Sequence, residues 1–313
     1  MSSETEAEKY ARESDVFTKT RWIRNDVPEM CKTESCVMGI DEAGRGAALG
    51  HMTYGAAFWA DSVNEEMCAL NFDDSKAMTH EKRVGLFKRL KATPQIGWMV
   101  KLISAQEISE KMLRRSPISL NAISHDCAME LVKLALDDGA KIQKVIVDTV
   151  GDPASYQRKL TAAFESYGIE FIVEKKADAN HRPVSAASIC AKVLRDESLA
   201  GFECADRTFG SGYPSDAKTV QWMKSNTDSL FGLPTFARFS WQPVKELLKT
   251  SDGVVDVEWS DDEDEDEPNA AAAAGTAKLT SFFAAAKSQN SGAVKKQRLG
   301  PFRTRKLTLV DDF

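Results

Sequence analysis

The sequence predicts an α/β domain, a β-sheet flanked by helices, followed by a helical C-terminal part and a disordered tail. Residues 37–59 contain two apolar runs rich in strand formers, joined by a charged Gly-Arg-Gly turn, which is the pattern of two strands and a bend. Residues 144–147 include a short continuous apolar run, typical of a central strand covered on both faces. A strand–helix–strand unit over residues 144–173 makes its two strands parallel.

Composition is compatible with one large or two ordinary domains of an intracellular protein. The chain has 313 residues and 42% hydrophobic content, which is enough for a sizeable core. No run approaches the roughly 18–20 apolar residues of a membrane span, and the acidic N-terminus lacks the apolar segment of a secretory signal. The six cysteines form no C-x-x-C pair and there are four histidines, so we expect buried free thiols in preference to a zinc site.

The net charge of −6 is unevenly distributed along the chain. Residues 251–267 carry −10, residues 268–313 carry +6, and residues 1–250 are therefore near −2. A nearly neutral body is not a generic basic nucleic-acid binder. Binding of a polyanion would depend on local lysines and arginines and on metal ions that offset carboxylates.

The first half of the chain alternates strand and helix patterns after a charged extension at residues 1–33. Thr79 is a candidate cap for a helix, and a proline-containing turn at residues 93–95 ends that helix. Leucines and isoleucines at three- and four-residue steps predict a long amphipathic helix that ends at Gly139. The predicted elements after the opening pair of strands are a helix at 80–92, a strand at 97–105 and a helix at 119–139.

The second half continues the pattern and ends in low-complexity sequence. Pro183 is suited to the first turn of a helix, and a glycine-rich loop occupies residues 208–214. The predicted elements are a strand at 144–147, a helix at 153–167, a strand at 169–173, and helices at 183–205, 215–226 and 242–250. We place the folded domain at residues 34–250. Residues 251–313 form an acidic linker and a basic tail with too little apolar surface to fold.

Four carboxylates, Asp41, Glu42, Asp148 and Asp178, lie at or just beyond the ends of predicted strands, where open α/β sheets place their ligands. Adjacent strand residues face opposite sides, so Asp41 and Glu42 share a site only if the strand has ended or a metal bridges them. Solvated acids in an ordinary turn are the alternative. Clustered carboxylates need cations, and two Mg²⁺ ions about 4 Å apart suit phosphodiester hydrolysis.

Several motifs, in order over residues 35–245, resemble type 2 ribonuclease H. Arg238-Phe-Ser-Trp241 resembles the catalytic subunit of its eukaryotic form, a heterotrimer. The other motifs are Asp41-Glu-Ala-Gly-Arg-Gly46, Asp74-Ser-Lys76, Leu120-Asn-Ala-Ile-Ser-His-Asp126, Val147-Asp-Thr-Val-Gly151, Lys176-Ala-Asp178, Val184-Ser-Ala-Ala-Ser-Ile-Cys-Ala-Lys-Val193 with Arg195-Asp196, and Ser211-Gly-Tyr-Pro214.

The resemblance implies a ribonuclease H-like fold, with a mixed sheet flanked by helices, and hydrolysis of the RNA strand of RNA–DNA hybrids. It also implies incision 5′ of a single ribonucleotide in duplex DNA, leaving 3′-hydroxyl and 5′-phosphate ends. The metal ligands would be Asp41, Glu42, Asp148 and Asp178, holding two Mg²⁺ ions, with Mn²⁺ as a substitute. His125 and His181 are not expected to be ligands or bases.

The resemblance further implies how the substrate is read. Backbone groups of Gly44, Arg45 and Gly46 and the side chain of Tyr213 would contact the ribose 2′-hydroxyl, the group that separates RNA from DNA. The candidates for phosphate contact are Lys76, Asn121, Lys192 and Arg195. The chain departs from the family pattern at Ala47-Ala48, where a proline is common, and at Met78, where leucine is usual.

The tail contains a short hydrophobic docking motif, Leu279 followed by Phe282 and Phe283. We expect it to dock on two accessory subunits. The alternative is the DNA sliding clamp, although Thr276 stands where a clamp motif has glutamine. Basic clusters at residues 295–298 and 303–306 are weak candidates for nuclear import. Two rival functions are a different nuclease or transposase of the same fold, and a catalytically silent scaffold; the first would lack the glycine turn and tyrosine, the second an acid.

Overall fold

The computed structural model describes residues 19–70, 72, 79–149, 151–202, 208–229 and 231–250. The chain divides into two units, residues 1–249 and 250–313. Six strands lie in the described part: β1 (Arg21–Arg24), β2 (Cys36–Ala43), β3 (Met52–Ala60), β4 (Gly97–Ile103), β5 (Ile142–Asp148) and β6 (Glu170–Glu174). The α-helices described are α1 (Glu29–Thr33), α2 (Asn64–Cys68), α3 (His80–Ala92), α4 (Ala105–Leu113), α5 (Leu120–Asp137), α6 (Pro153–Ala163), α7 (Ala177–Asn180), α8 (Arg182–Ala200), α9 (Ala217–Ser225) and α10 (Gln242–Thr250).

The sheet is mixed, as expected, with the strand order β1-β4-β3-β2-β5-β6. The predicted pair of strands around the Gly-Arg-Gly turn is the antiparallel pair β2–β3, and β3–β4 and β4–β1 are antiparallel as well. β2, β5 and β6 run parallel to one another. The carboxyl ends of these three strands therefore meet at one edge of the sheet, which is where ligands bind in open α/β sheets.

Hydrophobic cores cover both faces of the sheet. Val145 and Val147 face the core formed with α5 and α6, whereas Ile146 faces the core formed with α8. This alternation explains why the β5 sequence is continuously apolar, since each face of a central strand is covered. All nine residues of β3 are buried for the same reason.

Helix α8 approaches the sheet unusually closely because glycines face it. A Cβ added to Gly39 would lie 2.1 Å from the carbonyl carbon of Pro183, and one added to Gly55 would lie 2.5 Å from the carbonyl oxygen of Ala187. No side chain can occupy such positions without moving backbone. The close approach brings the residues of α8 next to the ends of β2 and β5.

The structure extends the fold beyond what the sequence predicted. Residues 21–24 and 29–33 lie in the stretch interpreted as an N-terminal extension, but they form edge strand β1 and helix α1, so that interpretation is wrong for these residues. Four residues are too few to show a period in sequence, and the pairing of β1 with β4 is long-range. The helix predicted at 183–205 ends at Ala200, with Gly201 as its C-cap, so its predicted end is wrong, and α4 was not predicted.

Other expectations are met in the described part of the chain. Thr79 caps α3 by accepting a hydrogen bond from the Lys82 amide. Cys31, Cys36, Cys127 and Cys190 are buried free thiols, and Cys68 is a half-buried one. No described helix combines the length and apolarity that crossing a bilayer requires. The glycine-rich loop, α9 and α10 build a third core, which includes Leu49 just after the Gly-Arg-Gly turn.

Candidate active site

Three carboxylates converge at the edge where the parallel strands end. Asp41 lies near the end of β2, Asp148 is the last residue of β5, and Asp178 lies in the first turn of α7, just after β6. One oxygen of each carboxylate lies within 4.8 Å of the others. Asp41 and Asp178 are buried, at 5% and 2% exposed. The parallel pairing of β2 with β5 and of β5 with β6 produces this convergence from residues far apart in sequence.

Backbone amides hold two of these carboxylates in place. The amide of Glu42 donates to Oδ1 of Asp41 at 2.8 Å. The amides of Lys176 and Ala177 both donate to Oδ1 of Asp148, at 2.7 and 3.3 Å. Hydrogen bonds to the charged form stabilise a carboxylate without neutralising it. The two side chains are therefore oriented before any cation binds.

Glu42 follows Asp41 on β2 but faces the other side of the sheet. Asp41 lies near Lys192 of α8, whereas Glu42 is paired across the ladder with Tyr54, which belongs to the core on the α5–α6 face. The Glu42 carboxylate is not one of the three mutually close groups, because neighbouring strand residues point to opposite faces. Burial, and then the charges of Asp41 and Asp148, raise its pKa to about 8. It borders the same centre, and its role as a metal ligand stays a prediction.

Electrostatics at the centre favour a cation. Burial is the main cause that raises the pKa of Asp41 to about 7, and the Asp148 carboxylate raises it as well, while Ser188 and Lys192 oppose the shift. Buried carboxylates this close repel one another unless a positive charge lies between them. Oxygen ligands from a few carboxylates are what Mg²⁺ and Mn²⁺ prefer. The residues present therefore fit a divalent metal.

The Gly-Arg-Gly turn lies directly beside the carboxylates. Gly44 has φ +74°, and a Cβ there would lie 2.6 Å from the carbonyl oxygen of His51, so both its conformation and its space require glycine. A Cβ on Gly46 would lie 3.8 Å from the ring of Tyr213. The structure thus brings together the turn and the tyrosine that the sequence predicted as one substrate-reading unit.

Arg195 contacts the Tyr213 ring and the loop that carries it. It is 6% exposed, its Nη2 donates to the carbonyl of Ser211 at 2.6 Å, and its guanidinium lies 5.0 Å from the centre of the Tyr213 ring. The guanidinium thus holds the loop carrying Tyr213, whose ring lies beside Gly46. Arg195 also lines the cleft described below, and its contact with a phosphate stays a prediction.

The other candidates for phosphate contact are Asn121, Lys192 and Lys76. The side chain of Arg45 hydrogen-bonds the Ser124 hydroxyl and Oδ1 of Asn121, so the Asn121 oxygen serves to fix the turn against α5. Lys192 is half-buried and lines the cleft described next, as a phosphate contact would require. Lys76 lies outside the described residues.

A cleft of about 530 Å³ contains the turn and Tyr213, and Glu42 in its wall is the chain neighbour of Asp41. It is open to solvent and its walls carry several arginine and lysine side chains, so it can admit a phosphodiester backbone. The residues lining it are Glu42, Ala43, Gly44, Arg45, Gly46, Arg83, Lys192, Arg195, Asp196 and Tyr213. Such an arrangement suits metal-assisted cleavage of a sugar–phosphate chain whose sugar meets the turn and Tyr213.

Arg238 is a site residue that the sequence did not identify as one. It is fully buried, and its guanidinium donates to the carbonyl oxygens of Gly50 at 3.1 Å, Arg45 at 2.9 Å and Gly44 at 2.7 Å. Trp241 donates from Nε1 to the carbonyl of Gly46 at 3.2 Å. Burial, and then the charge of Arg195, lower the Arg238 pKa to about 9, so it stays protonated at neutral pH.

The two histidines near the centre have other contacts, in agreement with their exclusion as metal ligands. The His125 ring stacks on Tyr156 with centroids 3.8 Å apart. Nε2 of His181 lies 2.8 Å from Oε1 of Glu174. Neither histidine belongs to the metal-capable group of side chains found in the described part of the chain.

Comparison with known proteins agrees with this geometry. The model of the family Ribonuclease HII matches residues 38–244. A ribonuclease H2 subunit from Arabidopsis thaliana is 43% identical over 80% of this chain and 85% of its own, and the corresponding protein from Homo sapiens is 40% identical over 85% and 88%.

Two archaeal structures share the fold. Ribonuclease H2 from Pyrococcus horikoshii OT3 is 31% identical, with a TM-score of 0.56 over 68% of this chain and 96% of that one. RNase HII of Archaeoglobus fulgidus, in a complex with PCNA, is 29% identical, with a TM-score of 0.58 over 67% and 96%. The similarity covers the whole of the described site, from Asp41 to Trp241.

Proposed function

The chain belongs to the ribonuclease HII family and is a ribonuclease H, and from this premise we propose a more specific activity. It hydrolyses the RNA strand of RNA–DNA hybrids and incises duplex DNA 5′ of a single embedded ribonucleotide, leaving 3′-hydroxyl and 5′-phosphate ends. One observation carries the proposal: the Gly-Arg-Gly turn and Tyr213 line one cleft with Glu42, the neighbour on β2 of Asp41 in the carboxylate cluster.

Asp41, Asp148 and Asp178, with Glu42 beside them, would hold two divalent cations, Mg²⁺ with Mn²⁺ as a substitute. When bound, such ions activate a water and stabilise the leaving oxygen of an in-line displacement. The carboxylates orient this chemistry because backbone amides fix the rotation of Asp41 and Asp148. No protein base is required, which fits the engagement of the nearby histidines elsewhere.

The turn and Tyr213 make cleavage depend on ribose. Backbone groups of residues 44–46 and the tyrosine hydroxyl would hydrogen-bond the 2′-hydroxyl, which deoxyribose lacks. Because the turn continues directly from Asp41 and Glu42 on β2, a sugar held there places its 3′ or 5′ phosphate beside the carboxylates. Recognition of ribose and hydrolysis are thus coupled within a few residues of chain.

The central experiment is cleavage of a duplex that contains one ribonucleotide, in Mg²⁺ and with and without added accessory subunits. Asp148→Asn should abolish incision while hybrid binding persists, and Glu110→Gln, an exposed acid on α4, serves as the matched control. Substantial residual cleavage by Asp148→Asn would contradict the assignment of two metal ions to these carboxylates.

A second variant addresses sugar recognition. Tyr213→Phe keeps the ring over Gly46 and removes the hydroxyl, so we expect about a tenfold greater loss at a lone ribonucleotide than on a long hybrid, in line with one hydrogen bond. Equal losses on the two substrates would show that the hydroxyl does not read the 2′ position.

We also propose that the protein acts in a heterotrimer with two accessory subunits, since its relatives are named as one subunit of ribonuclease H2. Leu279, Phe282 and Phe283 lie outside the described residues, and docking of this motif on those subunits remains our preferred interpretation. The Archaeoglobus fulgidus enzyme binds PCNA, which supports the clamp as the alternative. Deleting residues 275–285 should weaken capture of the accessory subunits in a pull-down; loss of the clamp alone would reverse the preference.

A nuclear role in removing ribonucleotides during DNA replication follows from the same proposal. The basic clusters at residues 295–298 and 303–306 are candidate import sequences. Replacing their lysines and arginines with glutamine should shift a fluorescent fusion of the full chain toward the cytoplasm. An unchanged distribution would remove these clusters from consideration.

A further inference from the structure

Lys176 has an unusual backbone conformation. It is the one residue other than glycine with a positive φ among those that the structure describes, with φ 61° and ψ 35°. A side chain in this left-handed region is disfavoured by contact with its own backbone, so lysine is a poor choice there. Such strain persists where surrounding structure maintains it, and it concentrates at functional sites.

The residues that surround Lys176 and maintain its conformation belong to the carboxylate centre. The amides of Lys176 and Ala177 donate to the same oxygen, Oδ1 of Asp148. Two successive amides can converge on one acceptor when the first residue is left-handed, the arrangement known as a backbone nest. Asp178 follows Ala177 directly. The same turn therefore donates two hydrogen bonds to the Asp148 carboxylate and carries the Asp178 carboxylate.

The Lys176 side chain has no matching role in the described part of the chain. The residue is exposed, and its ammonium forms no ion pair there, although acidic side chains lie nearby. Lys176 also precedes α7 without providing a side-chain cap. The feature that the site uses is therefore the conformation of the backbone at residue 176.

We propose that Lys176 is a positioning residue whose left-handed backbone sets the rotation of the Asp148 carboxylate and the place of Asp178, and thereby the affinity for the divalent cation. The inference rests on the proposed metal role of the carboxylates. If the turn relaxes to a right-handed or extended conformation, the two amides no longer converge on Oδ1. Outer contacts of this kind change metal affinity by about 10–100-fold when lost.

A series of substitutions separates backbone from side chain. Lys176→Gly and Lys176→Asn remove the ammonium and readily accept a positive φ, and Lys176→Ala removes it while keeping the Cβ of lysine. Lys176→Val removes it and, being β-branched, resists that conformation. Lys175→Val is the matched control, since Lys175 is an exposed lysine in the same turn without a positive φ. The readout is Mn²⁺ binding to the full chain, by titration calorimetry without substrate.

We expect Lys176→Gly and Lys176→Asn to bind Mn²⁺ within about twofold of the wild type, and Lys176→Val to bind about 10–100-fold more weakly. Lys176→Ala should also match the wild type, because alanine has the same Cβ as lysine, and Lys175→Val should match it as a control. Equal Mn²⁺ affinity across the series would overturn the proposal. A uniform loss in all four variants would assign the effect to the ammonium and overturn it as well.

Two further measurements keep the result interpretable. If Lys176→Val does not fold, Lys176→Thr, which is β-branched but polar, replaces it. Asp148→Asn tests the premise separately: if it binds Mn²⁺ like the wild type, the metal centre is wrong. If it loses Mn²⁺ while the Lys176 series is flat, only the inference about Lys176 fails.

Discussion

Arg238 offers the sharpest test of how the Gly-Arg-Gly turn is held. Arg238→Met preserves much of the apolar length of the side chain and removes all three donors to the carbonyls of Gly44, Arg45 and Gly50. The Gly44 carbonyl keeps the Ala47 amide as a donor at 3.3 Å, so two carbonyls lose their donor, at about 1–3 kcal/mol each or about 2–6 kcal/mol together. We expect a loss of about 2–4 kcal/mol, since the turn borders an open cleft where water replaces part of the bonding.

The loss should also be visible in substrate preference. The carbonyls of residues 44 and 45 belong to the turn that we propose to read the 2′-hydroxyl, so releasing them should loosen that turn. We expect incision at a single ribonucleotide to fall at least about tenfold more than cleavage of a long hybrid, because the lone sugar has only this contact with the turn. Arg238→Lys should recover part of the stability, since an ammonium cannot span three carbonyls as a guanidinium does.

The assay combines urea unfolding with the two cleavage rates, measured at a temperature where the variants remain folded. Lys224→Met, an exposed basic residue on α9, is the control for loss of a positive charge from the same part of the chain. Two results would refute the reasoning. One is an Arg238→Met unfolding free energy within about 1 kcal/mol of the wild type, below the cost of a single orphaned carbonyl. The other is an equal loss on the two substrates.

Two other predictions concern the sheet and the acids. Gly39→Ala should destabilise the fold by several kcal/mol, because its Cβ would lie 2.1 Å from Pro183 and push α8 from the sheet, whereas Gly85→Ala, with open space on α3, should stabilise it by about 0.5–1 kcal/mol in urea unfolding. Asp41→Asn should abolish incision yet raise the melting temperature of the metal-free protein at pH 8. Burial raises the Asp41 pKa to about 7 in the folded state, above its unfolded value, so the native state binds the extra proton and stability falls as pH rises from about 4 to 7. Melting in a chelator should show this gain at pH 8 and little of it at pH 5; a gain of the same size at both pH values would contradict the assignment.

Local pattern made much of the fold predictable. The period of α5 and the continuous apolar run of β5 follow from which faces are covered, and the structure shows those faces covered. Strand β1 was beyond this approach, because its four residues alternate only weakly and its place depends on pairing with β4. Helix α4 was missed in the same way, as a short helix next to a strand.

In the candidate site, too, the residues set by local sequence were predictable and those set by long-range contacts were not. Asp41, Glu42 and the glycine turn could be identified together because they are adjacent on one strand and bend. Arg195 was expected at a phosphate, and its burial under Tyr213 could not be seen from a helical position rich in small residues. Arg238 reaches the turn from 193–194 residues away, a distance over which sequence spacing carries no information.

The sequence by itself determined which chemical groups are available: acids at the ends of strands, a turn with glycine at its left-handed position, and a tyrosine in a second glycine-rich loop. These are local properties, set by backbone sterics and by the period of apolar residues. The tertiary structure decided which groups meet and how they are held. Parallel pairing of β2, β5 and β6 selects Asp41, Asp148 and Asp178 as one cluster and leaves Glu42 on the other face of the sheet. Arg238 and Trp241 then fix the turn, because the distant C-terminal part supplies side-chain donors to its carbonyls.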